Sequence, residues 1–332
     1  MAGIRNVISV TAFYIAAFIG AGFASGQEIM SFFASYGRGG LAGIGVCAVL
    51  LVVGTALIIT RSRELNAATY AELIYKKAPR LAPYLDAAYS VFALIGLAVM
   101  LAGCGELLGQ SLGIPGGSLI SALLIGLALR QEPDRLLDLS TLLTPVMLVL
   151  LVVPAAKTLL SSGIQVPNEG NALGIGAGIL YASYNLCLSL AVLTAFHHKL
   201  PTPRQIWGAA LLGSGLIVAL LFTITFSFWS LHGPRESNVM PMLALSQNLG
   251  PLFEASFVAV LLAAMLSTAL AHTFALVNRL THQTTLSKKS SIVLVLGIGL
   301  GLARLGFGPL IDFGYPIIGV VGLLMFAALL RK

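Results

Sequence analysis

From Val7 to Tyr36 the chain is apolar enough and long enough to cross a bilayer, yet its centre reads Ile19-Gly20-Ala21-Gly22-Phe23-Ala24-Ser25-Gly26-Gln27-Glu28. Glycine in a helix interior costs roughly 1 kcal/mol relative to alanine, and a charge near the bilayer centre costs at least about 2.5 kcal/mol. A helix that only has to span carries neither. Irregular backbone at membrane depth survives only where protein buries it or a watery cavity lines it. The stretch therefore predicts a helix broken between Gly20 and Gly26, whose freed amides and carbonyls are placed to bind a ligand.

The rest of the chain obeys the same solvent. Of its 332 residues 58% are hydrophobic and 9% charged, where a soluble domain carries roughly 25% charged residues. That composition excludes a soluble protein and predicts an all-α integral membrane protein. Ten segments approach the roughly 20 apolar residues that a span needs. They run near 7–36, 39–61, 83–112, 116–130, 138–160, 171–197, 204–231, 250–280, 290–305 and 308–330, the fourth and ninth being short.

Basic residues orient these spans. With a cytoplasmic N-terminus, Arg38, Lys157, Arg235 and Arg304 fall outside; the other 15 of the 19 lysines and arginines fall inside, among them Arg5, Arg61, Arg63, Lys76, Lys77, Arg130, Arg135, Lys288 and Lys332. This is the positive-inside pattern, so the net charge of +7 reports topology and carries no nucleic-acid inference. The expected setting is a bacterial cell (inner) membrane with both termini cytoplasmic. Trp207 and Trp229 bracket segment seven, about 33 Å apart at 1.5 Å per residue, as interfacial anchors do. The first segment is too long for a signal peptide and lacks an A-x-A-like cleavage site, so it is expected to stay. Cys47, Cys104 and Cys187 lie inside spans without metal-ligand spacing; an odd count argues against a disulfide framework and for buried packing.

The second half repeats the first. Phe23-Ala24-Ser25-Gly26-Gln27 aligns with Tyr181-Ala182-Ser183-Tyr184-Asn185, Pro83 to Tyr89 with Pro251 to Phe257, and Thr144-Pro145 with Tyr315-Pro316. The repeats cover about 5–161 and 170–331 of a single transmembrane domain. Five spans per half is an odd number, so the second half is expected to be inserted upside down. Inverted repeats with paired broken helices are the architecture of secondary transporters, with the site at the midplane. Between the spans, residues 68–75 predict a short amphipathic helix.

Ten helices as five plus five, broken in the first and sixth, resemble the LeuT fold of the amino acid–polyamine–organocation superfamily. The stretch Gly20 to Ile29 followed by Phe32-Phe33 further resembles the YkvI-like family of bacterial membrane proteins. The fold resemblance implies alternating-access transport and no enzyme activity. It also implies a sodium site, because sodium symporters of this fold set an A-x-x-[ST]-[ST] sequence in helix eight against carbonyls flanking the break in helix one. Here that sequence is Ala264-Met265-Leu266-Ser267-Thr268. On a helix the Ala264 carbonyl and side chains at i+3 and i+4 converge on one face. Carried over, the Na+ ligands are Ser267, Thr268 and the carbonyls of Ala264, Ala16 and Ile19. The bland reading is hydroxyls bonded back to their own helix. Some relatives place an asparagine after the first glycine pair of helix one, where this chain has Phe23, so one coupling ion is expected. Proton-coupled relatives replace sodium with a lysine in the cytoplasmic half of helix five; Lys157 lies near the outer end.

For a substrate, the breaks offer Gly20, Gly22, Phe23, Ser25, Gly26, Gln27 and Glu28 from segment one, and Tyr181, Ser183, Tyr184 and Asn185 from segment six. Amides of Gly22 to Gly26 suit a carboxylate by the helix dipole, and the aromatic rings supply walls or gates. Glu28, an intramembrane acid, is a functional candidate by default: it attracts a cationic substrate, carries a proton, pairs with a basic gate residue, or is structural. Glu106 and Asp312 are candidates for an extracellular gate, and His272 for the inner exit. The expected function is sodium-coupled symport of a small amino acid or related amine, with no cofactor beyond Na+, and the small molecule and the bilayer as partners. The alternatives are a proton-coupled or uncoupled organic-cation transporter using Glu28 or His272, and an ion channel. No clustered catalytic constellation supports a membrane enzyme.

Overall fold

A computed structural model describes residues 2–67, 69–80, 82–129, 134–230 and 240–330. Ala68, Arg130, Arg235 and Lys332, and the side chains of Asp86, Arg135 and Thr144, lie outside the described residues. The described chain is helical throughout: α1 Ala2–Phe18, α2 Ala21–Ser25, α3 Gln27–Phe32, α4 Arg38–Glu64, α5 Tyr70–Lys77, α6 Ala82–Leu112, α7 Gly117–Ala128 and α8 Asp134–Ser162. There follow α9 Leu173–Ala195, α10 Pro203–Ser230, α11 Pro241–Gln247, α12 Pro251–Gln283, α13 Lys288–Ala303, α14 Phe307–Pro309 and α15 Tyr315–Leu330, with a π-turn at Leu310–Gly314. Among the described residues, seven helices are long and apolar enough to cross a membrane. The apolar stretches Gly3–Phe18 and Gly117–Ala128 are shorter.

Basic residues tie down the loops at both ends of the bundle. At one end Asn6 donates to the Lys199 carbonyl at 3.0 Å, and Arg63 to the Pro201 carbonyl at 2.6 Å. Lys76, on α5, bonds the Leu65 carbonyl at 3.0 Å. At the other end Arg38 donates to the Pro167 carbonyl at 3.0 Å, and Lys157 to the Asn248 carbonyl at 2.9 Å. Trp229 there donates its indole N–H to the Ala34 carbonyl at 2.9 Å. Large apolar side chains such as Leu123, Val149 and Val293 remain exposed between the ends, where a bilayer solvates them. The cysteines Cys47, Cys104 and Cys187 are free and buried.

Segment one is interrupted twice. Gly20 is extended (φ −85°, ψ 178°) and Gly26 is left-handed (φ 83°), a conformation glycine adopts without steric cost. A Cβ on Gly26 would also press on Phe228 and Met242, so this glycine seats the kink against α10 and α11.

Segment six differs from expectation: α9 runs unbroken from Leu173 to Ala195. The reason is local. Residues 181–185 hold neither glycine nor proline, and a regular helix accommodates them: Asn185 Nδ2 donates to the Tyr181 carbonyl within α9 at 3.0 Å, and Ser183 Oγ donates outward to the Gly319 carbonyl at 2.8 Å.

What fixes α9 in place is its contact with α4. A Cβ on Gly43 would strike the Gly174 carbonyl, one on Gly178 the Gly43 carbonyl, and one on Gly174 the Gly39 carbonyl. Glycines spaced by four let two membrane helices approach backbone to backbone. Here they place α9 directly behind the break in segment one.

Candidate functional site

Breaking the helix at Ile19 and Gly20 redirects hydrogen bonds. The Gly20 amide bonds the Phe18 carbonyl at 2.9 Å, which leaves the carbonyls of Ala16 and Ile19 without a backbone donor among the described residues. Both residues border a cavity of about 230 Å³. Across it, α12 contributes Ala264, Ser267, Thr268 and His272. The five residues expected to bind sodium thus line one space. Ser267 is buried and donates to its own Ala264 carbonyl at 2.9 Å. That bond is what the bland reading expects of a membrane-helix hydroxyl; it spends the proton and leaves the oxygen lone pairs for an acceptor role.

Glu28 also borders the cavity and is buried at 4% exposure. Tyr184, on α9, donates its hydroxyl to Glu28 Oε2 at 2.6 Å. The other oxygen, Oε1, lies over Gly22, at the place a Cβ there would occupy. The Phe23 amide faces the same carboxyl. The Tyr181 hydroxyl is turned toward it without completing a hydrogen bond. Tyr181 itself is packed by Phe18, Phe32 and Phe33 at ring separations of 6.0, 5.4 and 4.8 Å.

Of the other candidate substrate residues, Gly20 borders the cavity, and several point elsewhere. Ser183 bonds α15 on the far side of α9. Phe23 is fully buried, with its ring 6.0 Å from that of Phe18, and Ser25 donates to the Gly22 carbonyl at 2.9 Å. Gly26 packs on Phe228 and Met242. Asn185 keeps a buried carbonyl oxygen without a partner. Of the amides from Gly22 to Gly26, Ala24 N–H bonds the Gly20 carbonyl at 2.9 Å and Gly26 N–H the Phe23 carbonyl at 3.0 Å, while the Gly22 N–H has no backbone acceptor among the described residues.

The candidate gate residues separate into three environments. Asp312, in the π-turn, accepts a hydrogen bond from Ser31 at 2.5 Å, and Ser31 in turn accepts from Gln27 at 3.3 Å. This chain links segment one to segment ten near the end that carries Arg38. Glu106 does not join it; it accepts from Gln110 of its own helix at 2.6 Å. His272 lies inside the cavity, its ring 5.6 Å from Phe92 and close against Gly96.

Sequence reasoning missed several cavity walls, Tyr315, Phe92 and Met147 among them. Tyr315 borders the cavity and packs 5.0 Å from Tyr184; the signal was present in Pro316 after a glycine, since π-turns and the bends around them often mark functional positions. Phe92 and Met147 also line it, and an aromatic or a methionine within an apolar run carries no mark in sequence.

No family model matches the chain. It is 23% identical over 328 residues to the membrane protein YkvI of Bacillus subtilis (strain 168), covering 96% of this chain and 94% of that one. Among solved structures it superposes on MhsT, determined in complex with L-phenylalanine, with a TM-score of 0.58 at 16% identity, over 95% of this chain and 87% of that one. A manganese transporter from Eremococcus coleocola gives a TM-score of 0.50 at 14% identity, over 96% and 83%. The chain is therefore a multi-pass membrane protein with the LeuT fold, similar over nearly its whole length to YkvI.

Proposed function

We propose that this protein is a sodium-coupled symporter of a small amino acid or related amine, working by alternating access. The observation that carries the reading is one cavity at the break of segment one, lined by Ala16, Ile19, Ala264, Ser267 and Thr268. Carbonyl and hydroxyl oxygens are the hard donors that suit a small cation. The substrate shares that cavity, next to Glu28. The L-phenylalanine bound to MhsT favours a ligand of amino-acid size.

Two further features support an architecture of two five-span halves, 5–161 and 170–331. Each half carries a short fourth helix, α7 of 12 residues and α13 of 16. Each also carries a short extra helix between its second and third spans, α5 and α11. In this reading the basic end faces the cytoplasm of a bacterial cell, and Asp312 with Ser31 closes the outer side.

Thermal stability of the detergent-purified protein in sodium, potassium and choline chloride at equal ionic strength tests the coupling ion. A ligand that binds only the folded state stabilises it by mass action, so sodium alone is expected to raise Tm saturably. Ser267→Ala with Thr268→Val is expected to remove that rise. Equal Tm in the three salts would overturn sodium coupling and bring forward a proton-coupled reading with Glu28 as carrier.

A further inference from the structure

We propose that a second cavity, on the bilayer-facing side of the bundle, holds one acyl chain of an anionic phospholipid. This depends on neither the coupling ion nor the substrate. The cavity is about 230 Å³ and lies between α5, α6, α9 and α15. Val91 and Ile317 on its walls are 56% and 59% exposed, so it opens sideways between α6 and α15, where both cross the membrane. Its floor is α9, through Cys187 and Leu190, which are 8% and 2% exposed. None of the lining residues is charged. Water finds too few partners in such a space to fill it, and leaving it empty forfeits dispersion contacts on every wall. An acyl chain supplies those contacts and is the solvent at the opening.

The depth and the cap fit a lipid of one leaflet. Along α6 the lining runs from Leu85 to Ile95, about 15 Å at 1.5 Å per residue. That is half of a hydrocarbon core of roughly 30 Å. Toward the deep end stands Phe92, a wall shared with the cavity that Glu28 borders. At the shallow end α5 closes the space with Tyr70 and Ile74, and Tyr70 stacks on Tyr89 at 4.9 Å. Lys77 follows Ile74 by three residues and Tyr70 by seven, which puts it on the same face of α5. Arg80 comes just after the helix, and Glu72 is the one acid on it. A phosphate at the level of α5 therefore meets positive charge while its chain enters the cavity, as basic juxtamembrane segments attract anionic lipids.

Photolabelling in lipid nanodiscs tests this. Phosphatidylglycerol with a diazirine on one acyl chain is compared with phosphatidylcholine carrying the same chain, and adducts are located by peptide mass spectrometry. Surrounding lipid reaches exposed Leu123 and Val293 in either case; a chain seated in the cavity reaches Cys187 and Leu190. Adducts at Cys187 and Leu190 are expected, several-fold more from phosphatidylglycerol. Ala88→Phe, which fills the cavity from α6, is expected to remove them and leave those at Leu123 and Val293 unchanged. Val321→Phe fills it from α15 if the first variant folds poorly. Lys77→Gln is expected to bring the two lipids level. Labelling confined to exposed faces overturns the inference and leaves the cavity to a small apolar solute. Equal labelling of Cys187 and Leu190 by both lipids, or its survival in the filled variants, overturns it as well.

Discussion

Tyr184 donates its hydroxyl to Glu28 across 156 residues of sequence, at 2.6 Å and in full burial. The bond joins α9 to the short helix after the break, and it is the direct hydrogen-bonded link between the two candidate segments at the cavity. A buried acceptor that loses its donor costs roughly 1–3 kcal/mol. Tyr184→Phe is therefore expected to lower stability by about that amount. The Tyr181 hydroxyl, equally buried, has no completed bond to lose, so Tyr181→Phe is expected to be close to neutral. Thermal unfolding of the two variants side by side checks the contrast; equal losses would mean that Tyr181 shares the carboxylate.

Gly22 and Gly26 are expected to fail in different ways. A Cβ at Gly22 meets the carboxyl end of Glu28. Gly22→Ala is expected to displace that carboxylate, to lower stability by roughly the 1–3 kcal/mol of the Tyr184 bond it breaks, and to abolish the ligand-induced Tm shift. Gly26 has φ 83° and packs on Phe228 and Met242. Gly26→Ala meets both left-handed strain and overpacking, each of order 1–2 kcal/mol, and is expected to reduce Tm and yield. Chemical denaturation and ligand titration of both variants measure the two effects separately.

On α9, Gly174 and Gly176 are two residues apart and are expected to respond in opposite directions. Gly174 abuts the Gly39 carbonyl, whereas a Cβ at Gly176 meets nothing within 4 Å. Gly174→Ala is expected to destabilise by roughly 1–3 kcal/mol through overpacking. Gly176→Ala is expected to be neutral or to stabilise by up to about 1 kcal/mol through helix propensity. Thermal stability in the same detergent decides both.

Ser31 and Asp312 form a solvent-exposed tie between segments one and ten. A double-mutant cycle with Ser31→Ala and Asp312→Ala is expected to give a coupling of about 0.5–1 kcal/mol, read from thermal unfolding. Additive effects would show that the pair does not act as a unit.

Much of the architecture was legible because membrane physics leaves few choices. Apolar runs near the length of a bilayer became helices, and glycine where a helix should be uniform marked the interruption at Gly20 and Gly26. The alignment of Tyr181 to Asn185 with Phe23 to Gln27 misled on α9, since it matched polar residues without matching the glycines that permit a break. Glu28 stood out by its charge, and Ala16, Ile19 and Ser267 were named through the resemblance of Ala264 to Thr268 to a sodium-symporter sequence; the four line one cavity. The site was not legible where the role depends on facing: Ser183 turns to α15, and Tyr315 turns inward. The glycine seam between α4 and α9 was missed as well, because four-residue spacing within one helix says nothing of which helix answers it.

That seam has a mechanical consequence. Along the glycine seam, carbonyls of one helix lie against the Cα atoms of the other, so no side chain stands between them there to change rotamer. Discrete alternative packings are what let packed helices switch, and a backbone-to-backbone seam resists them. The two helices work as one strut, and Tyr184 is mounted on it. Glu28 sits on the shorter, interrupted arm opposite, which two side-chain bonds tie down: Tyr184 holds it to the strut through Glu28, and Asp312 holds it to segment ten through Ser31. If that arm moves in transport, those are the bonds it has to break, while the strut holds its shape.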